Sequence, residues 1–167
     1  TKVFMDYSQS KFSETLKTAD LLIASASQIK DYRFQGYGLF GLAYCTYRLG
    51  QLHKAKHYLE ELHTLFSEQF NLQDEKLAHL TAGLQARIER ALGNDEMALS
   101  WAHKAEELGN GLFQDSYLSL VGFSSPVATY LNLWRDGQGD PTVLKRRTKK
   151  AMRNLKLYAF SFPTGRP

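Results

Sequence analysis

A chain of 167 residues that is 43% hydrophobic and 23% charged can bury one ordinary core or several units of a repeat, and its composition is not that of a disordered segment. The single cysteine, Cys45, excludes an internal disulfide and a thiolate zinc cluster and fits a reducing, cytoplasmic compartment. The net charge of +4 is concentrated in residues 145 to 156, KRRTKKAMRNLK, which hold seven Lys/Arg and no acid; the remaining 155 residues carry 14 basic against 17 acidic groups, which excludes a uniformly basic nucleic-acid-binding surface. The longest apolar stretch, LLIASA from residue 21, is far short of a membrane span, and the opening TKVFMDYSQS lacks the zones of a signal peptide.

In chain order, the opening residues read as the tail of a first helix, followed by a turn near Ser10 and a helix whose inner face is Phe12, Thr15, Ala19 and Leu22. A second helical stripe, Leu39, Leu42, Ala43 and Thr46, ends at Gly50, after which Leu52, Ala55, Leu59 and Leu62 form the next. The pattern then recurs: Leu92-Gly93 matches Leu49-Gly50 and Ala98 matches Ala55, each with Gly-x4-Ala spacing and a period of 43 residues. A further step of 44 residues reaches Gly137. Asn94 is placed to cap a helix whose first turn holds Asp95 and Glu96, and Asp140-Pro141 reads as a cap followed by proline at the first helical position. Leu144, Thr148, Ala151, Leu155, Tyr158, Ala159 and Phe162 mark the inner face of the last helix. No segment alternates with a strand's period, so the chain is expected to be all-α: helical hairpins repeating every 40 to 44 residues as one segment over 1–167.

Leu42-Ala43, Gly50 and Ala55, recurring as Ala86, Gly93 and Ala98, resemble the Leu-Gly/Ala, turn-Gly and Ala positions of the tetratricopeptide family. The period exceeds that family's 34 residues, and its early Trp and closing Pro are missing. The chain is therefore similar to the elongated repeats that follow the ATPase core of STAND-type signalling proteins, including class III adenylyl cyclases and some protein kinases. The closing YAFSFPTGRP, with its Phe-Pro-x-Gly-Arg-Pro phrase, resembles the opening of a repeat in such chains. The resemblance implies a right-handed α-α superhelix. The phase of the repeat, opening in mid-hairpin and stopping at Pro163 to Pro167, together with the lack of polar capping helices, leads us to expect a piece of a longer protein.

The resemblance also implies a binding surface. Positions on the first helix of each hairpin that line the family's groove are occupied by Tyr37, Phe40, Tyr44, Tyr47 and Arg48 in one unit and by Leu80, Arg87 and Arg90 in the next. Aromatic rings beside guanidinium groups suit a peptide with apolar and acidic side chains, or an acidic domain of a partner or of the same chain. Tyr44, Tyr47, Arg87 and Arg90 are expected to form one patch that supplies most of the affinity, and the two arginines to contribute little to stability. The alternative is that some of these rings pack between helices. A second cationic surface is expected on the last helix, where Lys145, Arg146, Lys149, Lys150 and Arg153 project from the outer face. Without interleaved aromatics to stack bases, this strip argues for a solvated face over nucleic acid.

No catalytic constellation is legible. Gly36-x-Gly38-x-x-Gly41 has the spacing of a dinucleotide fingerprint but follows SQIKDYRFQ, which is not a buried strand, so these glycines are read as close-packing positions on a helix. His53 and His57 stand one helical turn apart but lack the Glu of a zinc-protease motif and a third ligand. Glu60-Glu61 and Glu106-Glu107 are adjacent on helices and diverge, and Cys45 reads as a small buried residue. The expected function is therefore a non-catalytic interaction or regulatory segment without metal or cofactor, the alternative being a small-ligand sensor of a STAND-type regulator.

Overall fold

The computed structural model describes residues 12–68, 74–112 and 119–161, excepting the side chain of residue 161. Among them the fold is all-α, with seven helices and no strand: α1 Phe12–Gln28, α2 Tyr32–Arg48, α3 Leu52–Glu68, α4 Glu75–Ala91, α5 Asp95–Leu108, α6 Leu120–Arg135 and α7 Pro141–Ser161. The turn expected near Ser10, Phe162 and the closing Phe-Pro-x-Gly-Arg-Pro phrase lie outside the described residues. The chain divides into two compact units, residues 1–77 and 78–167, with the boundary inside α4 after Leu77.

The three glycines of the repeat end helices in the same way. Gly50, Gly93 and Gly137 have φ of 76°, 82° and 70°, a region that costs a residue with a Cβ about 1–2 kcal/mol. At each, the glycine N–H and the next N–H reach back to the last turn. Gly50 and Gln51 donate to the carbonyls of Tyr47 and Thr46, Gly93 and Asn94 to Arg90 and Glu89, Gly137 and Gln138 to Trp134 and Leu133. This pair of bonds satisfies carbonyls that would otherwise end the helix unpaired and turns the chain into the next helix. A fourth turn of the same form joins α1 to α2, where Lys30, at φ 55°, and Asp31 donate to Ser27 and Ala26. Helix starts are equally local: the Asp31, Asp74 and Asp140 carboxylates accept from Phe34, Leu77 and Thr142 N–H respectively. Asn94 differs from expectation. Its side chain does not cap α5, because its amide instead donates to the buried Glu89 carboxylate at 2.7 Å.

Within residues 1–77, α1 packs on α2 and α2 on α3. Thr15 and Ala19 of α1 and Ala55, Leu59 and Leu62 of α3 are fully buried, as their spacing predicts. Gly38 explains how α1 approaches so closely: a Cβ there would lie 2.5 Å from Ile23 Cγ1 and 3.2 Å from the Ala19 carbonyl. Gly36 similarly leaves room for Leu77 and Leu62. Both glycines sit within α2 and not in a strand-to-helix turn, so their role is packing.

Within residues 78–167, Ala86, Ala102, Val127, Tyr130, Leu133, Leu144 and Ala151 form one cluster, flanked by Leu99, Trp101 and Leu155. The first helices of the two hairpins here nearly touch backbone to backbone, since a Cβ on Gly83 would meet the Gly122 Cα at 2.9 Å. Ala98 is fully buried, as the register requires. Ala159 departs from expectation: it is exposed, and Tyr158 alone turns inward at that level of α7, stacking on Phe123 with ring centroids 5.5 Å apart.

Candidate functional site

Of the seven residues expected to meet a partner, five fall in the first unit and Arg87 and Arg90 in the second. In the first, residues at intervals of three and four bring Phe40, Tyr44 and Tyr47 onto one face of α2, with ring centroids 6.4 Å and 6.3 Å apart in succession. Phe40 and Tyr44 are buried, Tyr37 and Tyr47 half-buried, and Arg48 exposed. The row thus grades from core to surface along the helix. At its outer end the Arg48 guanidinium donates to the Tyr44 hydroxyl at 2.9 Å and lies 5.4 Å from the centre of the Phe12 ring, a cation–π arrangement. At the inner end the Tyr37 hydroxyl donates to Asp74 at 3.2 Å, and Arg33 donates to the same carboxylate at 2.7 Å. Burial and then the Asp74 charge push the Tyr37 phenol above its ordinary range. Neighbouring Cys45 is fully buried, and burial raises its thiol to about 11, which leaves it protonated and unreactive.

In the second unit, Arg87 and Arg90 are tethered. Arg87 donates to the Ser125 and Ser124 hydroxyls at 2.7 and 2.8 Å, and Ser125 is itself anchored on the Val121 carbonyl. Arg90, at the end of α4, pairs with Asp95 at the start of α5 at 2.8 Å and with Asp136 at the end of α6. Its charge is spent on two turns of the fold, so a role in binding alone, without effect on stability, is not what its surroundings provide. Leu80, on the same helix, is buried.

Of the basic strip on α7, Lys145, Arg146, Lys149 and Arg153 are exposed as expected. Lys150 is exposed as well, and its ammonium in addition reaches the buried Glu106 carboxylate at 2.7 Å. Glu106 also accepts from the Tyr130 hydroxyl at 2.9 Å and has Arg147 at 3.6 Å. Burial opposes its charge, but Lys150, Tyr130 and Arg147 outweigh that and hold the carboxyl below its ordinary range. The same carboxylate, after burial, raises the Tyr130 phenol. Glu107 points to solvent, so the two carboxylates do diverge. Nothing in the spacing of Glu106 announces this group, whose other members lie 24 to 44 positions further along the chain; the only hint is a glutamate beside the Ala98, Ala102, Ala105 stripe.

His79, not singled out by any motif, is buried, with its ring 4.5 Å from that of Phe123 and Nε2 facing no partner. Burial lowers its pKa to about 4. The cavity beside it, shared with Glu106, Gly122 and Asn154, measures only about 10 Å³. His57 donates to the Glu61 carboxylate at 2.9 Å on the surface of α3. Among the described residues no three His, Cys, Asp or Glu side chains converge as a metal site, and no helix is long and apolar enough to cross a membrane. The chain matches no family model, no curated protein and no solved structure.

Proposed function

We propose that this chain is a non-catalytic, cytoplasmic interaction segment of tetratricopeptide-like hairpins, by resemblance part of a larger ATPase-linked signalling protein, and that it holds a partner peptide or domain along the first helices of its hairpins. The observation that supports this most is the graded row on α2, in which buried Phe40 and Tyr44 fix half-buried Tyr47 and exposed Arg48 in place. A ring and a guanidinium held by their neighbours lose little freedom on binding, which is the quality that makes Tyr and Arg frequent hot spots. In the second unit Arg87, held by two serine hydroxyls, is the corresponding group. The alternative, a small-ligand sensor, calls for a compact pocket with converging polar groups, whereas the cavity beside His79 has room for about one water and the larger space, about 480 Å³ between α1 and α3, is an open groove.

The test is selection of binders from a random peptide library on the intact chain, followed by Tyr47→Ala with Arg48→Glu. We expect acidic, aromatic or aliphatic peptides whose affinity falls roughly 30-fold, about 2 kcal/mol, with helicity by circular dichroism unchanged. Peptides that bind the variant as well as the parent would sink the proposal.

A further inference from the structure

A second surface, distinct from the α2 row, lies on the first unit. An open groove of about 480 Å³ runs between α1 and α3 over α2. Its apolar floor is Ile23, Leu39 and Leu65, and its rim carries Glu60, Glu61 and Glu68, with Glu61 bonded to His57 and no lysine or arginine among the lining residues. On a helix rising 1.5 Å per residue, Glu60 to Glu68 spans about 12 Å. An apolar trough with an acidic rim of this length suits a helix that presents cations and apolar side chains together.

This chain carries such a helix. Around α7, the residues opposite the buried line Leu144, Thr148, Ala151 and Tyr158 are Lys145, Lys149, Arg153 and Lys156, all exposed. Interleaved with them are Met152, Leu157 and Phe160, at 40%, 56% and 89% exposure. Phe160 in particular is a large ring in water on a helix with no acidic residue from Pro141 to Ser161. Lys149 to Lys156 covers about 10 Å, close to the length of the glutamate rim. We propose that the groove on the first unit receives helix α7 of a second copy of this chain, with Phe160 or Leu157 on the Ile23–Leu39–Leu65 floor and the cations against Glu60, Glu61 and Glu68. Because groove and helix are different surfaces, the contact is head to tail, and association proceeds to chains or closed rings and not to a two-fold dimer.

The experiment is sedimentation of the full chain over a concentration series at low and high salt. Mass should rise with concentration and fall back as salt screens the contact. Glu60→Lys with Glu61→Lys in one variant, and Lys149→Glu with Arg153→Glu in another, should each weaken association at least tenfold while retaining parental helicity. Mixed together, the two variants should associate again, since each supplies the partner that the other lost. Tyr47→Ala with Arg48→Glu, which tests the peptide surface, should leave association unchanged. A monomer at every concentration, association indifferent to both charge reversals, or failure of the mixture to recover would overturn the proposal. So would sedimentation with phosphatidylserine vesicles that Lys149→Glu with Arg153→Glu abolishes, in a protein that shows no self-association.

Discussion

His79 occupies space that Gly122 makes: a Cβ on Gly122 would fall 2.4 to 2.7 Å from three atoms of the imidazole. Gly122→Ala should therefore destabilise the fold by about 2 kcal/mol or more, read from urea denaturation. The ring is also expected to respond to acid. With its pKa lowered from 6.5 to about 4, it stays neutral in the folded chain while the unfolded chain takes up a proton. Stability from this group is complete above pH 6.5 and is lost as pH falls toward 4, by about 3 kcal/mol across that window. His103, lowered by burial and by Arg147, acts in the same direction. Glu106 adds a second loss at lower pH, below 4.5, as its carboxylate is protonated. His79→Leu should flatten the upper part of the denaturation midpoint against pH profile; an unchanged slope there would remove His79 from this role. The buried line that holds His79 was not read from the sequence, because a histidine on an apolar helix face gives no sign of whether it is a ligand, a site or core.

Helix ends were far more legible than helix faces. The terminators Gly50, Gly93 and Gly137 act through bonds within five residues, so a regular glycine spacing reports them directly. Lys30 escaped notice because a lysine can take the same left-handed position at a cost that no pattern displays. Lys30→Gly should relieve that cost and stabilise the chain by about 0.5–1 kcal/mol, whereas Gly93→Ala should destabilise it by about 1 kcal/mol. The faces of α7 illustrate the opposite case. Lys149 and Lys150 are neighbours of one type, yet one is solvated and the other meets Glu106. Lys149→Ala should change stability by less than about 0.5 kcal/mol, and Lys150→Ala should cost about 1–2 kcal/mol, because Glu106 then keeps a buried charge with fewer donors. Equal effects of the two substitutions would show that the Lys150 contact is not made in solution. For the expected binding residues the sequence conveyed that they lie on α2 and α4, while the tethering of Arg90 depended on Asp136, 46 residues away.

Across the whole molecule, the repeat and the all-α class followed from short-range periodicity, and the division into two units did not, since it falls inside one continuous helix. Helix α4 supplies Leu77 to the first unit, against Gly36, and His79, Gly83 and Ala86 to the second. Melting that helix removes core from both, so the units are expected to unfold in one transition. The chain carries its own means of checking this. Its only thiol, Cys45, is sealed in the first unit, and both tryptophans, Trp101 and Trp134, belong to the second. Thiol labelling and indole emission followed along the same urea series should give coincident midpoints, and separated midpoints would establish two independent domains. Because nature has placed one reporter chemistry in each half, the order in which the halves yield to heat, acid or denaturant can be followed in the natural sequence, without engineered residues.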